Sequence, residues 1–94
     1  PDMQLLLEYS KLLQQQINAI NGFRVIPSAT HYFLVKLDTP DAAKLKDYLA
    51  YNHQLLIRDA SNFRGLDEHY IRIASQCAQK NEVLVKALQA WSIQ

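Results

Sequence analysis

Apolar residues recur at intervals of three and four through DMQLLLEYSKLLQQQINAIN, at Leu5, Leu6, Tyr9, Leu12, Leu13, Ile17 and Ile20. That period places them on one stripe of a helix. Asp2 is the candidate N-cap, and Asn21-Gly22 follows the last apolar position, where a left-handed residue without a Cβ lets the chain turn away. The next run, FRVI, is a short strand that Pro27 stops. THYFLVKL then alternates, with His31, Phe33, Val35 and Leu37 on one side and Tyr32, Leu34 and Lys36 on the other, which is the period of a strand.

In DTPDAAKLKDYLAYN the helical period returns through Ala42, Leu45, Tyr48 and Leu49, with Thr39 as the expected cap and Pro40 as the first helical residue, where a missing N–H costs nothing. QLLIR is short and apolar and predicts a buried strand that emerges at Arg58. DASNFRGLDE is a loop. HYIRIAS alternates again, sending Ile71 and Ile73 to one face and Tyr70, Arg72 and Ala74 to the other, before a last helix with Val83, Leu84, Ala87, Leu88 and Trp91 as its apolar residues. The predicted order is αββαββα. Paired strands separated by helices imply an α+β two-layer sandwich, a mainly antiparallel sheet with helices on one face.

Length and composition narrow this picture without changing it. At 94 residues the chain is shorter than an average domain of roughly 150, so a single domain is expected. Its 49% hydrophobic and 20% charged content is that of a globular chain and excludes a disordered tail. A net charge of +1 is far from the basic excess that binding a phosphate backbone requires. The lone Cys77 can form neither an internal disulfide nor a Cys-rich zinc site, and predicts an inert or buried thiol in a reducing, cytoplasmic setting. No apolar run is long enough to span a membrane, and the acidic second residue with no basic start predicts no signal peptide.

The chemistry is bounded first by what cannot be written. With only Gly22 and Gly65, neither a P-loop nor a dinucleotide-binding glycine loop can be built. His31, His53 and His69 form no HExxH pair, and no serine sits in a GxSxG elbow, so a zinc protease or an acyl-transfer site has no sequence support. What remains is arginine. Arg58 ends one predicted strand, Arg72 lies inside the next, and Arg64 sits in the loop between them. A guanidinium grips a carboxylate or phosphate through two parallel N–H···O bonds where orientation matters. Pattern alone favours the plainer reading, Arg72 on a solvated sheet face and Arg58 as a mere strand end.

The segment LLIRDASNFRGLDEHYIRIASQCAQKNEVLVKAL resembles the C-terminal end of the class I/II aminotransferase family, the fold type I pyridoxal-phosphate enzymes. The matching features are a strand ending in Arg-Asp, a Ser-Asn-Phe-x-Gly-Leu loop, a Tyr-x-Arg-x-Ala strand, and Asn-Glu before an apolar last helix. FRVIPSATHYFLVKL resembles the family's strand, Pro-Ser turn and second strand, so only the first helix is generic. Within the family the loop is more similar to the branch that decarboxylates a phosphorylated amino acid than to its phosphate-ester aminotransferases. His31, where many relatives carry Asn, and the Gln76–Gln79 segment depart from the pattern.

The resemblance implies that residues 1–94 are the single small C-terminal domain of a longer, homodimeric enzyme whose large domain holds pyridoxal 5'-phosphate. No residue of this chain is then expected to be catalytic or to bind cofactor or metal, and the domain alone is expected to be inactive. It further implies that Arg72 clamps the substrate α-carboxylate, and that Arg58 helps hold the second anion of a phosphorylated amino-acid substrate. Arg64 matches a variable position. Two other classes stay open on the residues alone: a free-standing regulatory module binding an anionic metabolite through Arg58 and Arg72, and an interaction domain using Leu5, Leu6, Leu7, Leu12 and Leu13 as a dimer face.

Overall fold

The computed structural model describes residues 3–53, 58–59 and 66–92, with the backbone alone for Met3, Leu6, Asn52, His53, Arg58 and Asp59. The elements run α1 (Met3–Asn18), β1 (Phe23–Ile26), β2 (Tyr32–Leu37), α2 (Ala42–His53), β3 (Arg58–Asp59), β4 (Tyr70–Ala74) and α3 (Ala78–Ser92), in the predicted order. The strands form one four-stranded sheet in the order β1-β2-β4-β3, with every neighbouring pair antiparallel. The two inner strands, β2 and β4, each have a paired neighbour on both sides.

Alternation decides which face is which. Phe23 and Val25 of β1, Phe33, Val35 and Leu37 of β2, and Ile71 and Ile73 of β4 are all buried. The registers Val25↔Val35↔Ile71 and Phe33↔Ile73 line them up across one face. Leu13 and Ile17 of α1, Leu45 and Leu49 of α2, and Leu84 and Leu88 of α3 join them in one core. All three helices therefore lie on that face, giving the α+β two-layer sandwich of the sequence reading. Each fully buried aliphatic side chain contributes roughly 1.5 to 3 kcal/mol relative to exposure, so this face carries the fold.

The first helix departs from the stripe read from sequence. Its inward side is Ser10, Leu13, Gln14 and Ile17, whereas Leu5, Leu7 and Leu12 are 42%, 38% and 53% exposed. Two polar residues occupy the inner face because a neighbouring turn offers backbone groups they can bond, which an apolar-period reading does not register. Leu13 is fully buried in the domain's own core, so it is excluded from the dimer face suggested by the sequence. After α1 the chain turns at Gly22, whose φ of 93° is the left-handed conformation that glycine adopts without steric cost.

Two further boundaries shift. The α2 helix begins at Ala42, and the Leu45 N–H donates to the Asp41 carbonyl at 2.9 Å, which makes Asp41 the N-cap in place of Thr39. The Thr39 hydroxyl instead donates to the Asp41 carboxylate at 2.6 Å. On α3 the inward valine is Val85, while Val83 is 45% exposed. Cys77 is exposed, not buried. The expected cap Asp2, the strand residues Gln54–Ile57 and most of the loop with Arg64 lie outside the described residues.

Candidate functional site

The face of the sheet opposite the helices is not covered by any described element, and its strand positions are read directly from the register. One row across it is Ile26↔Leu34↔Arg72↔Arg58, and the next is Arg24↔Lys36↔Tyr70. Directly opposed residues of an antiparallel pair share a face, and successive rows on one face are about 7 Å apart. The register therefore brings the Arg58 and Arg72 positions side by side, with Arg24 and Lys36 in the adjoining row. Among the described residues, no strand position on this face is acidic. Charges of one sign on neighbouring positions repel, and an anion shared between them relieves that cost.

Arg72 is half-buried. Its guanidinium carbon lies 5.4 Å from the centroid of the Tyr32 ring, within cation–π range. Tyr32 is the diagonal neighbour of Arg72, since Leu34 pairs with Arg72 and Tyr32 with Ala74. The Tyr32 ring in turn lies 4.1 Å from the His31 ring at an interplanar angle of 39°. Ile26, Pro27, Ser28, Tyr32, Leu34 and Arg72 line an open groove of about 300 Å³. Its wall is mostly apolar, and Arg72 is the one charged side chain that lines it, an arrangement in which a few polar groups orient a small ligand. Sequence reading singled out Arg72 and Arg58 and did not single out Tyr32 or the Arg24–Lys36 row. Their shared face was visible in the alternation, but their adjacency needs the strand register.

The polar junctions around β4 are structural. Asn81 is buried, and its Oδ1 accepts from the Gln76 N–H at 2.9 Å while its Nδ2 donates to Ser75 Oγ at 3.0 Å and to the Gln76 carbonyl at 3.1 Å. It ties the end of β4 to α3. At the other end of β4 the Asp67 carboxylate accepts from the His69 backbone N–H at 2.8 Å and lies 2.9 Å from His69 Nδ1. These contacts with the His69 backbone, then with its ring, hold the Asp67 carboxyl below its ordinary value of 3.8.

Nothing among the described residues forms a metal-binding cluster of His, Cys, Asp and Glu. All six lysines, Lys11, Lys36, Lys44, Lys46, Lys80 and Lys86, are solvent-exposed. A lysine that bonds covalently to a carbonyl cofactor sits in a desolvated pocket that lowers its basicity. None of these six is desolvated by the described residues.

The chain belongs to the fold type I, or class I/II, pyridoxal-phosphate aminotransferase family. It is similar to L-threonine-O-3-phosphate decarboxylase from Porphyromonas gingivalis, with 37% identity and a TM-score of 0.96, covering 100% of this chain and 29% of that one. It is 33% identical over 79 residues to histidinol-phosphate aminotransferase of Methanosphaera stadtmanae, covering 82% of this chain and 21% of the relative.

The fold is also that of histidinol-phosphate aminotransferase from Sinorhizobium meliloti in complex with pyridoxal-5'-phosphate, at 24% identity, 95% and 24% coverage, and a TM-score of 0.79. No protein-family model matches the chain. The chain thus spans between 21% and 29% of the length of these relatives. Among the described residues no helix is long and apolar enough to cross a membrane.

Proposed function

We propose that residues 1–94 are the small C-terminal domain of a pyridoxal-phosphate-dependent threonine-phosphate decarboxylase, which converts L-threonine O-3-phosphate to aminopropanol phosphate with release of CO2, a step of cobalamin biosynthesis. The observation that carries this reading is the row that opposes the Arg58 and Arg72 positions on one open face, in a chain 37% identical to such a decarboxylase. The substrate bears a carboxylate and a phosphate, and the face offers cations in pairs.

Arg72 holds the α-carboxylate through two parallel N–H···O bonds, and Arg58 helps hold the phosphate. Fixing both ends of a small substrate fixes which bond at its Cα is presented for cleavage, so Arg72 acts by orientation and moves no proton. The cofactor and its lysine belong to the part of the enzyme beyond these residues, which is why the domain alone is inactive.

Full-length protein assayed for CO2 release from L-threonine O-3-phosphate tests the reaction. Amino-group transfer from histidinol phosphate to a 2-oxo acid, with no CO2 release, would instead establish the aminotransferase reading that the 33% identity to histidinol-phosphate aminotransferase favours. Arg58→Ala is expected to weaken use of L-threonine O-3-phosphate by about tenfold, the worth of one charge-assisted contact, and to leave unphosphorylated L-threonine unaffected. Equal losses on both would remove the phosphate role. A natural reading frame that starts at or near Pro1, with no large-domain partner, would sink the domain assignment.

A further inference from the structure

Two polar side chains of α1 are buried without any use in the reading above. Ser10 and Gln14 retain 1% and 9% of their exposure, and both are spent on the turn between β1 and β2. Gln14 Oε1 accepts from the Ser28 N–H at 3.1 Å, and Gln14 Nε2 donates to the Ser28 carbonyl at 3.1 Å and to Ser10 Oγ at 3.0 Å. Ser10 Oγ donates to the Thr30 carbonyl at 2.9 Å. The side-chain amide thus reads both backbone groups of one residue, as a second strand would.

The turn continues the chain of contacts outward. The Thr30 N–H donates to Ser28 Oγ at 3.2 Å, the Tyr32 N–H donates to Thr30 Oγ1 at 3.2 Å, and Thr30 Oγ1 donates to the Tyr32 carbonyl at 3.0 Å. Tyr32 carries the ring over which the Arg72 guanidinium lies, and Pro27 and Ser28 form the groove wall beside it. An apolar residue at position 14 would fill the same space, whereas a fully satisfied buried polar pair specifies one conformation of what it bonds. We propose that Gln14 and Ser10 are positioning residues for the anion site: through Ser28 and Thr30 they fix Tyr32, and through Tyr32 they fix the direction in which Arg72 presents its fork. The proposal rests on the assignment of Arg72 to the substrate carboxylate.

The test uses the full-length enzyme with L-threonine O-3-phosphate, reading KM and kcat separately in Gln14→Met, Ser10→Ala, Tyr32→Leu and the Gln14→Met/Tyr32→Leu pair. Gln14→Met is expected to raise KM about three- to tenfold, and to add nothing once Tyr32 is already Leu, because coupled residues are non-additive where they act through one another. If Gln14→Met fails to fold, Ser10→Ala, which keeps the Gln14–Ser28 contacts, is expected to raise KM about twofold in an intact fold.

Effects that multiply in the pair, or a KM unchanged in Gln14→Met and Ser10→Ala, overturn the proposal, since both mean that α1 only stabilises the domain. Arg72→Ala separates the two layers of inference. If it leaves KM unchanged, the carboxylate assignment fails. If it raises KM while Gln14→Met and Ser10→Ala do not, positioning alone fails.

Discussion

The same strands build two faces that obey opposite rules. On the helix side, Phe23, Val25, Phe33, Val35, Leu37, Ile71 and Ile73 are all buried, and the three helices complete one core. On the other side, one residue along in each strand, stand Arg24, Ile26, Tyr32, Leu34, Lys36 and Arg72, exposed or half-buried. A period of two lets a single strand place stability on one side and recognition on the other. Ile71 and Arg72 are neighbours in sequence, yet their substitutions should fail in different assays.

Breaking the covered face gives the largest effect. Ile71→Ala removes most of a fully buried side chain at the centre of the sheet, which costs about 2 to 5 kcal/mol. Urea unfolding of the full-length protein should show the transition that reports this domain at lower denaturant, with substrate affinity preserved in the fraction that remains folded. An unchanged midpoint would mean that the β4 face is not the core.

Breaking the open face should reverse the pattern. On the proposed carboxylate role, Arg72→Ala removes charge-assisted bonds worth roughly 1.5 to 3 kcal/mol each, so kcat/KM should fall about tenfold or more per bond while the unfolding midpoint stays close to that of the parent. Steady-state kinetics unchanged in a folded Arg72→Ala protein would take Arg72 out of the site. If the unfolding midpoint falls as far as in Ile71→Ala, the two faces are not functionally distinct.

How much of this contrast was legible follows from which signal each feature writes into the chain. Alternation in THYFLVKL and HYIRIAS was enough to separate Ile71 and Ile73 from Arg72 onto opposite faces, because one residue's step flips the face. The inner side of α1 was not legible. Ser10 and Gln14 are buried by hydrogen bonds to a turn far along the chain, and no periodicity reports a partner's backbone. The Arg58–Arg72 opposition and the Tyr32–Arg72 diagonal are properties of register, which depends on pairing between segments. Asp41 took the α2 cap from Thr39 for a local reason: both are good caps, and the choice rests on which carbonyl accepts the first helical bond.

At the junction between the faces, Asn81 offers an intermediate case. Its side chain makes three hydrogen bonds to the end of β4 and the start of the connection to α3. Asn81→Ala leaves the Gln76 N–H and Ser75 Oγ short of partners and should cost about 1 to 3 kcal/mol, read by the same unfolding experiment. Since Asn81 touches neither Tyr32 nor Arg72 through any of these bonds, KM should hold. A rise in KM at unchanged stability would extend the recognition surface beyond the open face.

The smallest effect belongs to the rim, where Asp67 is exposed and its contacts with His69 are open to water. The His69 backbone N–H, and then its ring, hold the Asp67 carboxyl below 3.8 in the folded protein. The native state therefore favours the carboxylate, so the contribution is present in full above the ordinary value and fades as pH falls through the depressed one. Asp67→Asn keeps an acceptor for the backbone N–H and removes the charge. The stability gap between the parent and Asp67→Asn should be small and should close as the pH falls below about 4, where the carboxylate is protonated. A gap that persists unchanged into stronger acid would assign the effect to hydrogen-bond geometry in place of charge, and the rim would then follow the rules of the covered face.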